Sequence, residues 1–228
     1  MPPLRRHQLA HLNAAGWRDA LASDWDAEAR ACLAHWASHG LPLVVTRQAV
    51  PRTAPDQPLT LGLATPACWG RRVLSLQVAP AAIAWFSEFP ALTAALGVLP
   101  RRSRTALHRL QAGLLRHGVR AHAYGSTGWQ CLTGLAYRHE RSDLDLWLAV
   151  DSPAQADAVA QTLLACSSPV RLDGELVFAD GSATAWREWA AWRDGRCAQL
   201  LVKHLHGVAL QAHPPQPPSL CAPWPCAA

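Results

Sequence analysis

Residues 143–150 read DLDLWLAV, so that Leu144, Leu146 and Leu148 alternate with Asp143, Asp145 and Trp147. Successive side chains of a strand point to opposite faces, and the pattern predicts a strand with its leucines in a core and both aspartates on the other face. Elsewhere the period changes. SPAQADAVAQTLLAC predicts an amphipathic helix with Ser152 as N-cap and Pro153 at its first position. LPRRSRTALHRLQAGLLRHG predicts another, N-capped by Ser103, with Leu107, Leu110, Leu114 and Leu115 on one face and Gly118 as its stop. Between these helices VRAHAY reads as a strand and residues 127–135 as a helix, joined by a turn at Gly125-Ser126. Downstream, VRLDGELVFADGSATAW is strand-like with two Asp-Gly turns. WREWAAW opens a helix whose Trp186, Trp189 and Trp192 read as core in preference to a platform stacking an adenine ring, and CAQLLVKHLHGVAL supplies a last strand and a short helix.

The N-terminal part has a different pattern. Residues 4–39 read as helical, with Trp25, Ala29, Cys32, Leu33 and Trp36 near one face and Gly40 as the stop. LPLVVTRQAV and LTLGLAT predict a hairpin across a Pro-containing connection, RRVLSLQVAP another strand, and residues 81–96 a helix. Together these elements predict an α+β protein in two parts: residues 1–100 forming a small substrate- or carrier-shaping domain, and residues 101–211 a catalytic domain with a mixed sheet flanked by helices. The Pro-rich remainder, residues 212–228, is expected to be disordered or extended.

Composition narrows the function. The chain has 228 residues, 50% of them hydrophobic and 16% charged, enough for two ordinary cores. No apolar run is long enough to span a bilayer and the N-terminus lacks a secretory pattern, so the expected location is the cytoplasm. Seven cysteines without C-x-x-C spacing read as reduced thiols packed as small hydrophobes, and the His and Cys residues lack the pairing of a zinc site. A net charge of +5 favours an anionic partner, which acidic proteins and polyphosphate metabolites satisfy as well as nucleic acid does.

The chemistry lies in the order of the elements. Two carboxylates on one strand face resist joint ionisation unless a cation sits between them, and paired carboxylates suit Mg²⁺ and hence phosphate substrates. Taken alone, Asp143 and Asp145 read more readily as the acidic outer face of a half-exposed strand. Gly125 and Ser126 on the preceding helix start, however, offer close backbone approach, a hydroxyl and the positive end of a helix to a phosphate. An anion cradle beside a metal clamp is the equipment of nucleotidyl transfer. Asp173 or Glu175 is placed to complete a carboxylate triad, although Asp173-Gly174 also reads as a turn. Lys203 either neutralises a triphosphate or is an exposed edge-strand lysine. His139 and Arg141 lie in the loop before the aspartates, and Arg101, Arg102, Arg104, Arg109 and Arg116 decorate one helix as a solvated face or a binding surface.

At Gly125-Ser126 and Asp143-x-Asp145 the sequence resembles the DNA polymerase β-like nucleotidyltransferase superfamily. More closely, PLRRHQL, LPLVVTR, YGSTGWQCLTGL, SDLDLWL, LDGELVF, WREW and LLVKHL resemble the malonate decarboxylase holo-acyl-carrier-protein synthases, also called phosphoribosyl-dephospho-CoA transferases. The resemblance implies transfer of the phosphoribosyl-dephospho-CoA portion of 2′-(5″-triphosphoribosyl)-3′-dephospho-CoA to a serine of the acyl-carrier subunit of malonate decarboxylase, releasing pyrophosphate. It implies Asp143 and Asp145 as Mg²⁺-binding residues and Gly125 and Ser126 as the phosphate-holding turn. Gln8 departs from the family pattern, which has an acid after the early histidine, and this puts any role of His7 in question. The alternatives are the same chemistry with another acceptor, such as RNA, a small molecule or another protein, and a nucleotide-binding regulator without catalysis.

Overall fold

The computed structural model describes residues 3–49, 51 and 53–215. In chain order its elements are β1 (Leu9–Leu12), α1 (Ala14–Ala22), α2 (Ala27–Ser38), β2 (Leu43–Val45), β3 (Leu59–Ala64), β4 (Val73–Val78), β5 (Ile83–Ser87), α3 (Leu92–Ala95), α4 (Arg101–Arg116), β6 (Ala121–Ala123), α5 (Gly125–Thr133), β7 (Leu144–Val150), α6 (Pro153–Leu164), β8 (Leu172–Phe178), β9 (Ala183–Ala185), α7 (Trp186–Arg193), β10 (Leu200–Lys203) and β11 (Val208–Gln211). They build two sheets, ordered β4-β3-β2-β1-β5 and β11-β10-β9-β8-β7-β6, so the fold is α+β.

The first sheet is antiparallel throughout and corrects two expectations. Residues 4–39 are not helical from the start: Leu9–Leu12 form β1, between β2 and β5, with Leu9 paired to both Val44 and Ser87. Residues 81–96 contain β5 where a helix is expected, because Ile83–Ser87 find their hydrogen-bond partners on β1. Helices α1 and α2 follow local chemistry. The side chains of Asn13 and Asp26 accept from Gly16 N at 2.9 Å and Ala29 N at 2.8 Å, satisfying first-turn donors. Trp36, wholly buried, donates Nε1 to Pro42 O at 3.1 Å and stands in a core with Leu9, Leu33, Leu43, Leu59 and Leu61. Each such leucine stabilises by about 2 kcal/mol relative to exposure.

In the second sheet only β7 and β8 run parallel, joined by the crossover helix α6. Ser152 caps α6 as expected, accepting from Gln155 N at 3.2 Å. Helix α4 starts earlier than expected, at Arg101 after Pro100. Ser103 therefore sits inside the first turn and donates its hydroxyl to Pro100 O at 2.7 Å instead of capping. Leu107, Leu110 and Leu114 are buried while Leu115 is 52% exposed, because it falls outside the stripe that meets the sheet. Asp173-Gly174 is not a turn but part of β8; the turn is at Asp180-Gly181, where φ is 80°. Residues 208–211 form β11, a hairpin partner of β10, instead of a helix. Trp186 and Trp189 are core residues, with Trp192 packed against them.

The two layers interlock through α5 and its following loop. Trp129 and Tyr137 bury themselves in the core of the first sheet, and Tyr137 donates its hydroxyl to Ala64 O at 2.7 Å. Of the Pro-rich remainder, residues 216–228 lie outside the described residues. Among the described residues no helix is long and apolar enough to cross a membrane.

Candidate active site

The chain leaves β6 at Ala123 and enters α5 at once, so Gly125 and Ser126 form its first turn, two residues ahead of the expected start. Tyr124 donates its backbone N–H to Asp145 O at 3.0 Å, pinning this entry to β7. No side chain caps α5. Gly125 has φ 58°, and a β-carbon there would lie 2.1 Å from Asp145 Oδ2. Glycine is required because the carboxylate of the second motif packs against the backbone of the first. The two motifs are thus one site.

Asp143 immediately precedes β7, Asp145 lies within it, and Asp173 is its direct partner on β8. Burial pushes the Asp145 carboxyl up to about 6, helped by the like charges of Asp173 and Asp143 and opposed by His7 and Arg138. Arg171 spans the rim, with Nη1 3.3 Å from Asp143 Oδ2 and Nη2 3.8 Å from Asp173 Oδ2. Among the described residues no three His, Cys, Asp or Glu side chains already converge as a complete metal set. Mg²⁺ asks for less: one or two carboxylates, with water and substrate phosphates completing its shell. An all-oxygen donor set with excess negative charge, centred on Asp145, fits that ion.

Glu175 and Lys203 have another position. Glu175 faces the same side of β8 as Asp173, but its side chain is 4% exposed and Lys203 Nζ donates to its Oε1 at 2.6 Å. Lys203 is on β10, between β9 and β11, so it is not an edge-strand lysine, and its charge is matched by Glu175. His7 Nε2 lies 3.3 Å from Glu175 Oε2 and its ring packs on Tyr124 with centroids 4.4 Å apart. Burial would raise the Glu175 carboxyl, yet His7 and Lys203 outweigh it and hold the group down at about 2.

Arg138 carries a role that sequence reasoning missed. Its guanidinium donates to Thr127 Oγ1, to Asp143 O at 3.0 Å and to Ser142 O at 3.0 Å, fixing the loop that delivers Asp143. The sequence offers only a basic residue in a charged loop as signal. A cleft of about 1180 Å³ opens beside Asp143, lined by Arg102, Arg138, His139, Arg141 and Arg171 among others. Arg102 and Arg141 have no ion pair among the described residues. The helix arginines do not share one surface: Arg109 and Arg116 line a separate groove against Thr162 and Cys166, and Arg104 donates to Gly97 O at 3.0 Å. Another pocket of about 550 Å³, lined by Asp19, Trp25 and Gln77, holds none of the motif residues.

Two family models match the chain, phosphoribosyl-dephospho-CoA transferase MdcG N-terminal domain over residues 5–89 and C-terminal domain over residues 91–214. A phosphoribosyl-dephospho-CoA transferase of Bradyrhizobium diazoefficiens is 38% identical over 210 residues, covering 91% of this chain and 90% of its own. One from Xanthomonas campestris pv. campestris is 36% identical over 222 residues, covering 95% and 98%. A Pseudomonas putida relative of the same name is 35% identical over 129 residues, covering 56% and 55%. No solved structure was found to match.

Proposed function

We propose that this chain, which belongs to the phosphoribosyl-dephospho-CoA transferase family, moves the phosphoribosyl-dephospho-CoA portion of 2′-(5″-triphosphoribosyl)-3′-dephospho-CoA onto a serine of the apo acyl-carrier subunit of malonate decarboxylase. The observation that carries this reading is the contact of Gly125 with Asp145, which joins a helix start suited to phosphate to a carboxylate whose charge burial and its acidic neighbours disfavour more than His7 and Arg138 favour it. In the reaction the serine oxygen forms a bond to the α-phosphorus while the bond from that phosphorus to the bridging oxygen of the β-phosphate breaks. Pyrophosphate leaves and the hydroxyl proton passes to solvent. This is the chemistry of the polymerase β-like nucleotidyltransferases.

Asp143 and Asp145 are the residues that would hold Mg²⁺, with Asp173 adjacent. When bound, the ion supplies Lewis-acid neutralisation of the phosphate oxygens. The first turn of α5 directs N–H groups and the Ser126 hydroxyl toward the phosphates. Arg102 and Arg141, set against Glu140 on the same lining, give the cleft the charge to receive the departing pyrophosphate. Arg138 keeps Asp143 in place by holding its carbonyl. The five described cysteines are free thiols, which suits the reducing cytoplasm in which we place the enzyme.

Incubating the protein with apo carrier subunit, the triphosphoribosyl precursor and Mg²⁺, then weighing the carrier intact, tests the reading. The carrier should gain the mass of the phosphoribosyl-dephospho-CoA group, and only when Mg²⁺ is present. An unmodified carrier would overturn it.

A further inference from the structure

The N-terminal segment sends one side chain onto the carboxylate face, from a backbone held where non-glycine residues rarely sit. His7 has φ 63°, in the left-handed region. Its backbone N–H donates to Val45 O at 3.2 Å, which anchors it to the first sheet. Its ring packs on Tyr124, the residue whose own N–H is bonded to Asp145 O and which precedes Gly125. On the other side its Nε2 faces Glu175 Oε2 at 3.3 Å, and both atoms are buried without an aligned hydrogen bond. A strained backbone persists only where its surroundings over-determine it. Glycine would satisfy φ 63° with less strain. What histidine adds is the ring, wedged between Tyr124 and a glutamate fixed by Lys203.

We infer that His7 is a positioning residue of the reaction site: by bracing Tyr124 and Glu175 it sets the start of α5 against the Asp145 strand, so the first sheet completes a site otherwise built on the second. This rests on the proposed role of Gly125, Ser126, Asp143 and Asp145.

The test separates the ring from the backbone. His7→Gly removes the ring and relieves the left-handed strain, so its unfolding temperature should stay within about 4 °C of wild type. Its affinity for magnesium diphosphate, titrated by calorimetry, and its turnover on the carrier should each fall about tenfold. His7→Asn tolerates the left-handed region and places an amide toward Glu175, so it should recover part of both losses. In a Tyr124→Leu background His7→Gly should add little, because the two act in series. Wild-type diphosphate affinity in the Gly variant overturns the inference. So does a loss that follows a lowered unfolding temperature and is absent in cooled, folded protein, since that marks a purely structural contact. The two readings fail separately: a wild-type protein that leaves the carrier unmodified but binds magnesium diphosphate in a His7-dependent way defeats only the proposed acceptor.

Discussion

Asp145 and Glu175 occupy neighbouring parallel strands, face the same side and are both largely buried, yet their carboxyls shift in opposite directions. Asp145, with Asp173 and Asp143 as neighbours, is pushed up to about 6 by burial and then by their charge. For Glu175 burial acts the same way, but His7 and Lys203 reverse it and hold the carboxyl at about 2. The more deeply buried carboxyl is the one held down, so the partners and not the depth set the sign. A buried carboxylate that already has its cation contributes to the structure; one surrounded by like charge marks where a cation belongs. On this comparison Asp173, the direct β-partner of Asp145, is the stronger candidate for a third ligand, and Glu175 a support.

The largest effect should come from the uncompensated side. Asp143→Asn and Asp145→Asn should each lower transfer at least ~100-fold, since losing a Lewis-acid ion removes several kcal/mol of transition-state stabilisation. Asp145→Asn should not lower the unfolding temperature, because it removes a charge that burial and like neighbours disfavour, and Asp143→Asn, which gives up only a solvent-exposed pair with Arg171, should change it little. Intact-mass turnover and calorimetry check both halves, and a variant keeping a tenth of wild-type turnover would break the comparison at its first term.

Gly125→Val comes next. Its side chain meets Asp145 Oδ2 and is strained at φ 58°, so both stability and precursor affinity should fall, while Ser126→Ala should weaken affinity alone. Equal stability of the two variants would mean that the motifs do not touch in solution.

On the compensated side the effect is on folding. Glu175→Gln leaves Lys203 without its buried partner and should cost about 3 kcal/mol of stability. The sign with pH follows from the lowered carboxyl. Its contribution is complete above the ordinary value of 4.5 and is lost as the pH falls toward about 2, so wild type should lose more stability than Glu175→Gln across that interval. Denaturant melts at both ends of the interval measure it; identical acid sensitivity would show that the pair does not form.

The smallest effect separates the arginines. Arg102→Glu should raise the KM for the precursor a few-fold, about 1 kcal/mol, with the increase shrinking in salt. Arg109→Glu, in the groove between α4 and α6, should leave it unchanged. A joint effect on the carrier alone would return both to a docking surface.

Much of the second sheet was legible from local pattern. DLDLWLAV alternates with period two, Ser152-Pro153 opens α6, and Gly118 with φ 74° ends α4. The failures have a common cause. LAHL at 9–12 and IAWFS at 83–87 are short segments in helix-like surroundings, and they are strands because they pair with each other across more than seventy residues of chain. Such partners leave no periodic trace.

The sequence by itself determined that Asp143 and Asp145 flank the first residue of a strand and that a Gly-Ser helix start precedes them, since alternation and helix entry are properties of neighbouring residues. Only the tertiary structure gave Asp173 and Glu175 different surroundings. In sequence they are two residues apart on one face. The parallel register sets Asp173 beside Asp145 and Glu175 beside Trp147, and β10 and the N-terminal segment then bring Lys203 and the His7 Nε2 into ion-pair distance of Glu175. Charge compensation depends on distances of a few ångströms between residues far apart in the chain, and folding sets those distances.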